Sequence, residues 1–179
     1  TGHGKLVLSA GDEELGLLNS IPTAEGAIQK AMEMSGLTLH GSRSLLLGLG
    51  RCGSALARSL QGLGSAVTVL VRRRVSAAQA RNMGLVPIFE RQMAEAVGEA
   101  DFIFNTVPAL LLTASLLEKT NKEAVIIDLA SSPGGTDFQA AARLGLTALL
   151  LPGLPGRVAP KSAGRVLAEV YPEIIKRHQ

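Results

Sequence analysis

The sequence predicts an α/β fold, a doubly wound parallel sheet with flanking helices, on three observations. Short apolar runs, several rich in β-branched residues, recur along the 179 residues at strand length. Stretches with apolar residues at helical spacing separate them, and strands alternating with helices build parallel sheets with right-handed crossovers. The first run passes directly into a glycine turn, Gly48-x-Gly50-x-x-Gly53, that opens onto one of the helical stretches.

The elements follow in order. A strand is expected over 44–48, then a helix over 52–63 that stops at Gly64. A buried strand reads over 66–71, and Ser76 is a candidate cap for a helix over 77–83. A weak strand over 85–89 and a short helix over 92–97 come next. "DFIFNT", 101–106, is a strand and 109–119 a helix. The strand over 124–129 runs into "DLASSPGG", and Asp137 is placed to cap a helix reaching Leu144. After a last strand over 147–150, "LPGLPGRVAPKSAG" leads into a C-terminal helix interrupted near Pro172.

Upstream of Gly41 the pattern changes. "NSIPTAEGAIQKAMEMSG" places Pro22 at a helix start, with Ala27, Ile28, Ala31 and Met32 on one side and Gly36 as a stop. Residues 1–18 offer one strand, 5–8. The organisation expected is therefore the end of a preceding domain at 1–21, a connecting helix at 22–40, a dinucleotide-binding domain at 41–160 and a C-terminal helix at 161–179 that packs back toward the first domain. Opening on Thr1 rather than Met, the chain reads as a processed product or a piece of a longer protein.

Composition narrows the function. Hydrophobic residues make up 46% of the chain, which is a globular composition. No apolar run reaches 18 residues and no signal-peptide pattern is visible, so neither a membrane span nor a membrane partner is expected. Cys52 is the only cysteine; it excludes an internal disulfide and fits a reducing, cytoplasmic setting. A net charge of +3 and a pI near 9.4 would suit nucleic acid, but aromatics are only 3%, too few to stack bases. The basic charge is local instead. No acid stands between Glu33 and Glu90, while seven arginines do: Arg43, Arg51, Arg58, Arg72, Arg73, Arg74 and Arg81.

The glycine turn in this strand–turn–helix context is the Rossmann-type dinucleotide signature. Gly48 permits the tight turn, Gly50 lets backbone approach a pyrophosphate, and Gly53 lets helix and strand pack closely. Arg51, Cys52 and Gly53 then open a helix whose N-terminus suits phosphate. An NAD-type site places an acid about 20 residues further on, to hold the ribose 2′-OH. Here the residue nineteen after Gly53 is Arg72, followed by Arg73 and Arg74. Guanidinium groups at that strand end suit a 2′-phosphate, so the cofactor expected is NADP(H); the bland alternative is a solvated arginine cluster. Cys52 is either a thiol acidified by the helix N-terminus or a small filler at a crowded turn.

Two later loops fall on the same edge of the sheet. "NTVPALLL" brings Asn105, Thr106 and Pro108 there, and "DLASSPGGTDF" brings Ala130, with small residues that let backbone pass close to a cofactor. "PGLPGRVAPKSAG" places Arg157 and Lys161 beside a helix start, as either a carboxylate site or two exposed cations. No metal-ligand spacing, G-x-S-x-G, Walker A or Ser/His/Asp set occurs, and His3, His40 and His178 stand away from these loops. No catalytic residue is assigned.

The motifs "NSIPTAEGAIQ", "HGS", "GLGRCG", "FNTVPAL", "IDLASSPGGTDF" and "LPGLPGRVAPKSAG", in this order over about Asn19 to Leu167, resemble the second domain of the dipicolinate synthase A-subunit family. That family is of the 2-hydroxyacid dehydrogenase type. The resemblance implies an NADP-dependent oxidation of dihydrodipicolinate to dipicolinate, with the flavoprotein-like B-subunit of dipicolinate synthase for a partner. It also implies the mother cell of a spore-forming bacterium for a setting. The chemistry implied is hydride loss from a dihydropyridine ring, with the proton passing to solvent or a weak base. A dicarboxylate substrate needs donors; Arg157 and Lys161 are the candidates, with Asn19, Ser20 and Thr23 as polar neighbours. A homo-oligomer is expected. The layout also resembles methylenetetrahydrofolate and shikimate dehydrogenases. Two alternatives stay open: another NAD(P)-dependent dehydrogenase of that type, or a non-catalytic nucleotide-binding assembly component.

Overall fold

The structure, a computed structural model, describes residues 13–177. The strand expected over 5–8, His3 and His178 lie outside the described residues. A six-stranded parallel sheet organises the chain in the order β3-β2-β1-β4-β5-β6. Its strands are β1 (Arg43–Leu47), β2 (Ala66–Leu70), β3 (Val86–Ile88), β4 (Phe102–Asn105), β5 (Val125–Asp128) and β6 (Thr147–Leu150). The central strands β4 and β5 are buried along their whole length, which is why they read as apolar runs up to a closing Asn105 and Asp128. The direction of strand order reverses between β1 and β4, so a crevice opens above their carboxyl ends.

Helices cover both faces. Leu46, Leu56, Leu60, Val69, Phe104 and Ile127 belong to the core on one side, and Leu45, Leu47, Ile103, Leu117 and Ile126 to the core on the other. α2 (Arg51–Gly62) buries Gly53, Leu56, Ala57 and Leu60, the spacing that predicted it. It ends where Gly64 takes φ +80, with the Gly64 and Ser65 N–H groups donating to Gln61 and Leu60 carbonyls. α6 (Phe138–Arg143) starts as expected, with the Asp137 side chain accepting from the Ala140 N–H at 2.9 Å. Among the described residues no helix is long and apolar enough to cross a membrane.

Five expectations are corrected. α1 spans Glu13–Ser35, so Pro22 lies inside a long helix and does not start one. Leu15, upstream of the proline, packs on Val170 and Ile174 of α8 (Pro160–Arg177), and such distant contacts hold the helix across a residue that lacks an N–H. The same contacts carry α8 through Pro172 without a break. Ser76 is no cap: α3 (Arg74–Asn82) begins earlier, with Arg73 in the capping position. The helix over 109–119 shrinks to α5 (Ala114–Leu117), because the Leu111 and Leu112 N–H groups both donate to the Gly135 carbonyl and hold the chain extended. The Pro-Gly loop contains a short helix of its own, α7 (Leu154–Val158). A 3-10 turn, Glu90–Gln92, leads into α4 (Met93–Glu99).

Candidate functional site

The carboxyl edge of the sheet carries two clefts that meet at Leu49 and Gly50. The first encloses about 340 Å³ over the ends of β1, β2 and β4, between Gly48, Gly50, Leu70, Arg72, Arg73 and the segment Thr106, Val107, Pro108 and Leu111. The second, about 610 Å³, runs over α2 beside α1 and is lined by Ser20, Arg51, Ser54 and Arg58, with Leu17 and Ile21 at its side.

Three glycines shape the turn for three different reasons. Gly48 adopts φ +94, a conformation side chains avoid, and a Cβ there would lie 2.7 Å from the Val107 side chain. Gly53 packs so closely that a Cβ would overlap the Gly48 carbonyl oxygen. Gly50 has neither need. Its backbone is extended, with φ −82, and a Cβ would meet no protein atom within 4 Å beyond its own chain neighbours. The space in front of it faces the first turn of α2, which carries no capping side chain and no acid. Unpaired N–H groups and the positive end of the helix dipole there suit an anion. The fit to a pyrophosphate is therefore that of a cradle the fold itself does not require.

The candidate cofactor residues divide. Arg72 and Arg73 follow β2, are exposed, and stand on the wall of the first cleft; Arg74 opens α3 and does not line it. None of the three makes an ion pair among the described residues. Thr106 ties β4 to β1, its Oγ1 donating to the Leu47 carbonyl at 2.9 Å. Pro108 lines the first cleft. Ala130 is buried, its N–H donating to Asp128. Arg51 lies over α1 at Gly16, where a Cβ would come within 2.9 Å of its guanidinium. Cys52 is half-buried, and burial pushes its thiol above the ordinary value against the opposing pull of Arg51. That direction fits a small filler at the turn better than an acidified thiol.

The candidate substrate residues are less gathered. Thr23 Oγ1 donates to the Asn19 carbonyl and Ser20 Oγ to the Leu17 carbonyl, both at 2.6 Å, so these hydroxyls turn back onto α1. Ser20 still borders the second cleft; Asn19 and Thr23 are half-buried beside it in sequence. Arg157 stands in the last turn of α7 and Lys161 in the first turn of α8, both exposed and neither lining either cleft.

Sequence reasoning missed Asp128. It is fully buried at the end of β5 and binds donors from the end of β4 and from the loop that follows β5. The signal was present, since an acid closing the otherwise apolar strand "VIID" cannot be buried without donors. Arg58 and Ser54 were also outside the candidate set, because only the turn of α1 alongside α2 makes a cleft of them.

A parallel sheet in this order, with a glycine turn at the reversal point and an open helix N-terminus above it, defines a nucleotide-binding domain of the dehydrogenase type. Residues 18–133 match the family described as D-isomer specific 2-hydroxyacid dehydrogenase, NAD binding domain, and the chain belongs to it. This supports a nicotinamide dinucleotide cofactor. The chain is 42% identical over 175 residues to the dipicolinate synthase A-subunit of Bacillus subtilis (strain 168), covering 98% of this chain and 59% of that one. The crystal structure of the Bacillus subtilis A-subunit superposes with a TM-score of 0.93 at 42% identity, over 97% of this chain and 58% of that one. The crystal structure of the Bacillus halodurans A-subunit gives 0.90 at 43% identity, over 92% and 57%. The chain thus spans somewhat under three fifths of the length of these relatives.

Proposed function

We propose that this chain is the NADP-binding part of an oxidoreductase that converts dihydrodipicolinate to dipicolinate. The observation that carries the reading is Gly50, a glycine required by neither backbone nor packing, standing where a phosphate would approach α2 with Arg72 and Arg73 on the adjoining wall. The names of the similar proteins, dipicolinate synthase A-subunits, supply the product, and dihydrodipicolinate is the substrate that the family resemblance implies. When bound, such a dinucleotide supplies a hydride acceptor. The chain's own residues bind and orient: the first turn of α2 takes the pyrophosphate, and Arg72 and Arg73 take the 2′-phosphate. Arg157 and Lys161 pair with substrate carboxylates, and Asn19, Ser20 and Thr23 on α1 are the polar groups that would add to them. The net reaction would take a hydride from the ring, for which such a dinucleotide would be the acceptor, and release a proton to water. Aromatisation drives it, so positioning two rings is the larger part of the task. Residues 41–160 carry the cofactor, a flavoprotein-like B-subunit completes the enzyme, and the setting is the mother cell of a spore former. Absorbance at 340 nm with dihydrodipicolinate and NADP⁺, with and without the B-subunit, tests this. No signal in either arm, for the chain extended to its relatives' length, overturns it.

A second reading is that this chain binds nucleotide while the reacting groups come from the remaining length of the relatives. Both clefts are lined by arginines, hydroxyls and apolar groups rather than by a histidine or carboxylate, which favours it. The carboxylate site separates the readings. Arg157→Ala/Lys161→Ala is expected to weaken dipicolinate binding on the order of tenfold to a hundredfold, the range for losing hydrogen bonds to a charged group. NADPH affinity is expected to stay unchanged. Calorimetric titration of both ligands checks it; unchanged dipicolinate affinity removes these residues from the substrate site.

A further inference from the structure

Asp128 sits outside the phosphate turn and the arginine cluster, yet it organises the edge between them and β5. Its Oδ1 accepts from Asn105 Nδ2 at 2.9 Å and from the Ala130 N–H at 3.0 Å. Its Oδ2 accepts from the Gly135 N–H at 2.8 Å and from Thr136 Oγ1 at 2.7 Å. A carboxylate offers about four lone-pair sites, and donors from the end of β4 and from the loop after β5 take them all. Asn105 passes the constraint on. Its Nδ2 donates to the Val107 carbonyl and its Oδ1 accepts from the Val107 N–H, each at 3.0 Å. Gly135 does the same from the other loop: its carbonyl accepts from the Leu111 and Leu112 N–H groups at 2.9 and 3.0 Å, and a Cβ on it would run into the Asn105 side chain. The segment held at both ends, Val107 to Leu111, is one wall of the first cleft.

We infer that Asp128 is a positioning residue for dinucleotide binding: through Asn105 and Gly135 it sets the Val107–Pro108–Leu111 wall without lining the cleft itself. The inference rests on the dinucleotide reading of that cleft. It separates Asp128 from the arginines, which stand at the end of β2 on the opposite wall. Loss of the knot should therefore weaken NADPH and NADH alike and leave their ratio alone.

Asp128→Asn preserves size and removes acceptors. Its NH₂ must face one pair of donors, and while the Thr136 hydroxyl can turn to accept, the Gly135 and Ala130 N–H groups cannot. Titrations of NADPH and NADH into the wild type, Asp128→Asn, Thr136→Val and Ile126→Val provide the test, each variant first checked for folding by circular dichroism. Ile126 is fully buried on the same strand, so Ile126→Val reports lost stability alone. Asp128→Asn is expected to weaken both dinucleotides roughly tenfold, the equivalent of about one hydrogen bond, at an unchanged ratio. Thr136→Val should show a smaller loss of the same kind, and Ile126→Val none. Wild-type affinity in Asp128→Asn, a loss no larger than that of Ile126→Val, or a changed ratio overturns the inference while the dinucleotide reading stands. If Asp128→Asn does not fold, Thr136→Val decides by the same comparison. If the wild type binds neither dinucleotide, the reading of the cleft fails and the inference falls with it.

Discussion

Gly50→Val is expected to abolish nicotinamide dinucleotide binding and to leave the fold standing. The two halves of that expectation have separate causes. Apart from its own chain neighbours, a valine Cβ at this position meets no protein atom within 4 Å and the backbone is already extended, so the folded state accepts it. Its methyl groups then fill the space in front of α2, where a pyrophosphate must approach the first-turn N–H groups. Losing that approach forfeits several charge-assisted hydrogen bonds together, a weakening on the order of a hundredfold or more. Gly53→Ala is the contrasting variant. Its Cβ would overlap the Gly48 carbonyl oxygen, so helix and strand must part, at about 1–3 kcal/mol for an overpacked contact. Thermal melts with NADPH titrations distinguish the two. A folded Gly50→Val protein with unaltered affinity removes the phosphate role from the turn.

The elements that proved legible in the sequence are those set by local chemistry. β4 and β5 are buried along their whole length and β1 is buried beyond Arg43, and the apolar runs LLL, FIF and VII announce that. The Asp137 cap and the glycine stop at Gly64 are encoded within a few residues. What was misread depends on partners far along the chain. Pro22 and Pro172 look like helix boundaries until Leu15, Val170 and Ile174 are brought together. The stretch before Ala114 has helical composition, yet the Gly135 carbonyl captures two of its N–H groups.

The site divides along the same line. The glycine turn was readable because glycine spacing is local. Asp128 was not, because its four donors come from Asn105 and from three residues beyond the strand end, and only the fold gathers them. Arg157 and Lys161 remain the least gathered candidates. They belong to α7 and α8, which pack on α1, and about two fifths of the length of the relatives is not represented in this chain. A carboxylate bound there would lie outside the two clefts described.

Arg72→Ala/Arg73→Ala is expected to erase a preference for NADPH over NADH. The position after β2 is where an acid would hold a ribose 2′-OH, and an acid there would repel a 2′-phosphate. Here two exposed guanidinium groups line the cleft instead, with no ion pair among the described residues to occupy them. A guanidinium can meet a phosphate with two parallel N–H donors, an arrangement lysine does not reproduce. Removing both should weaken NADPH on the order of a hundredfold. NADH lacks the 2′-phosphate, so its affinity should change little. Raising ionic strength should mimic the mutation in part, because exposed charges are screened by salt. Arg74 stands beyond the cleft wall, and Arg74→Ala should leave the ratio as it was. Titrations of both cofactors at two salt concentrations read all of this. Equal affinity for NADPH and NADH in the wild type, or a ratio untouched in the double variant, would mean that the arginines are only a solvated cluster and that the cofactor is not chosen by its 2′-phosphate.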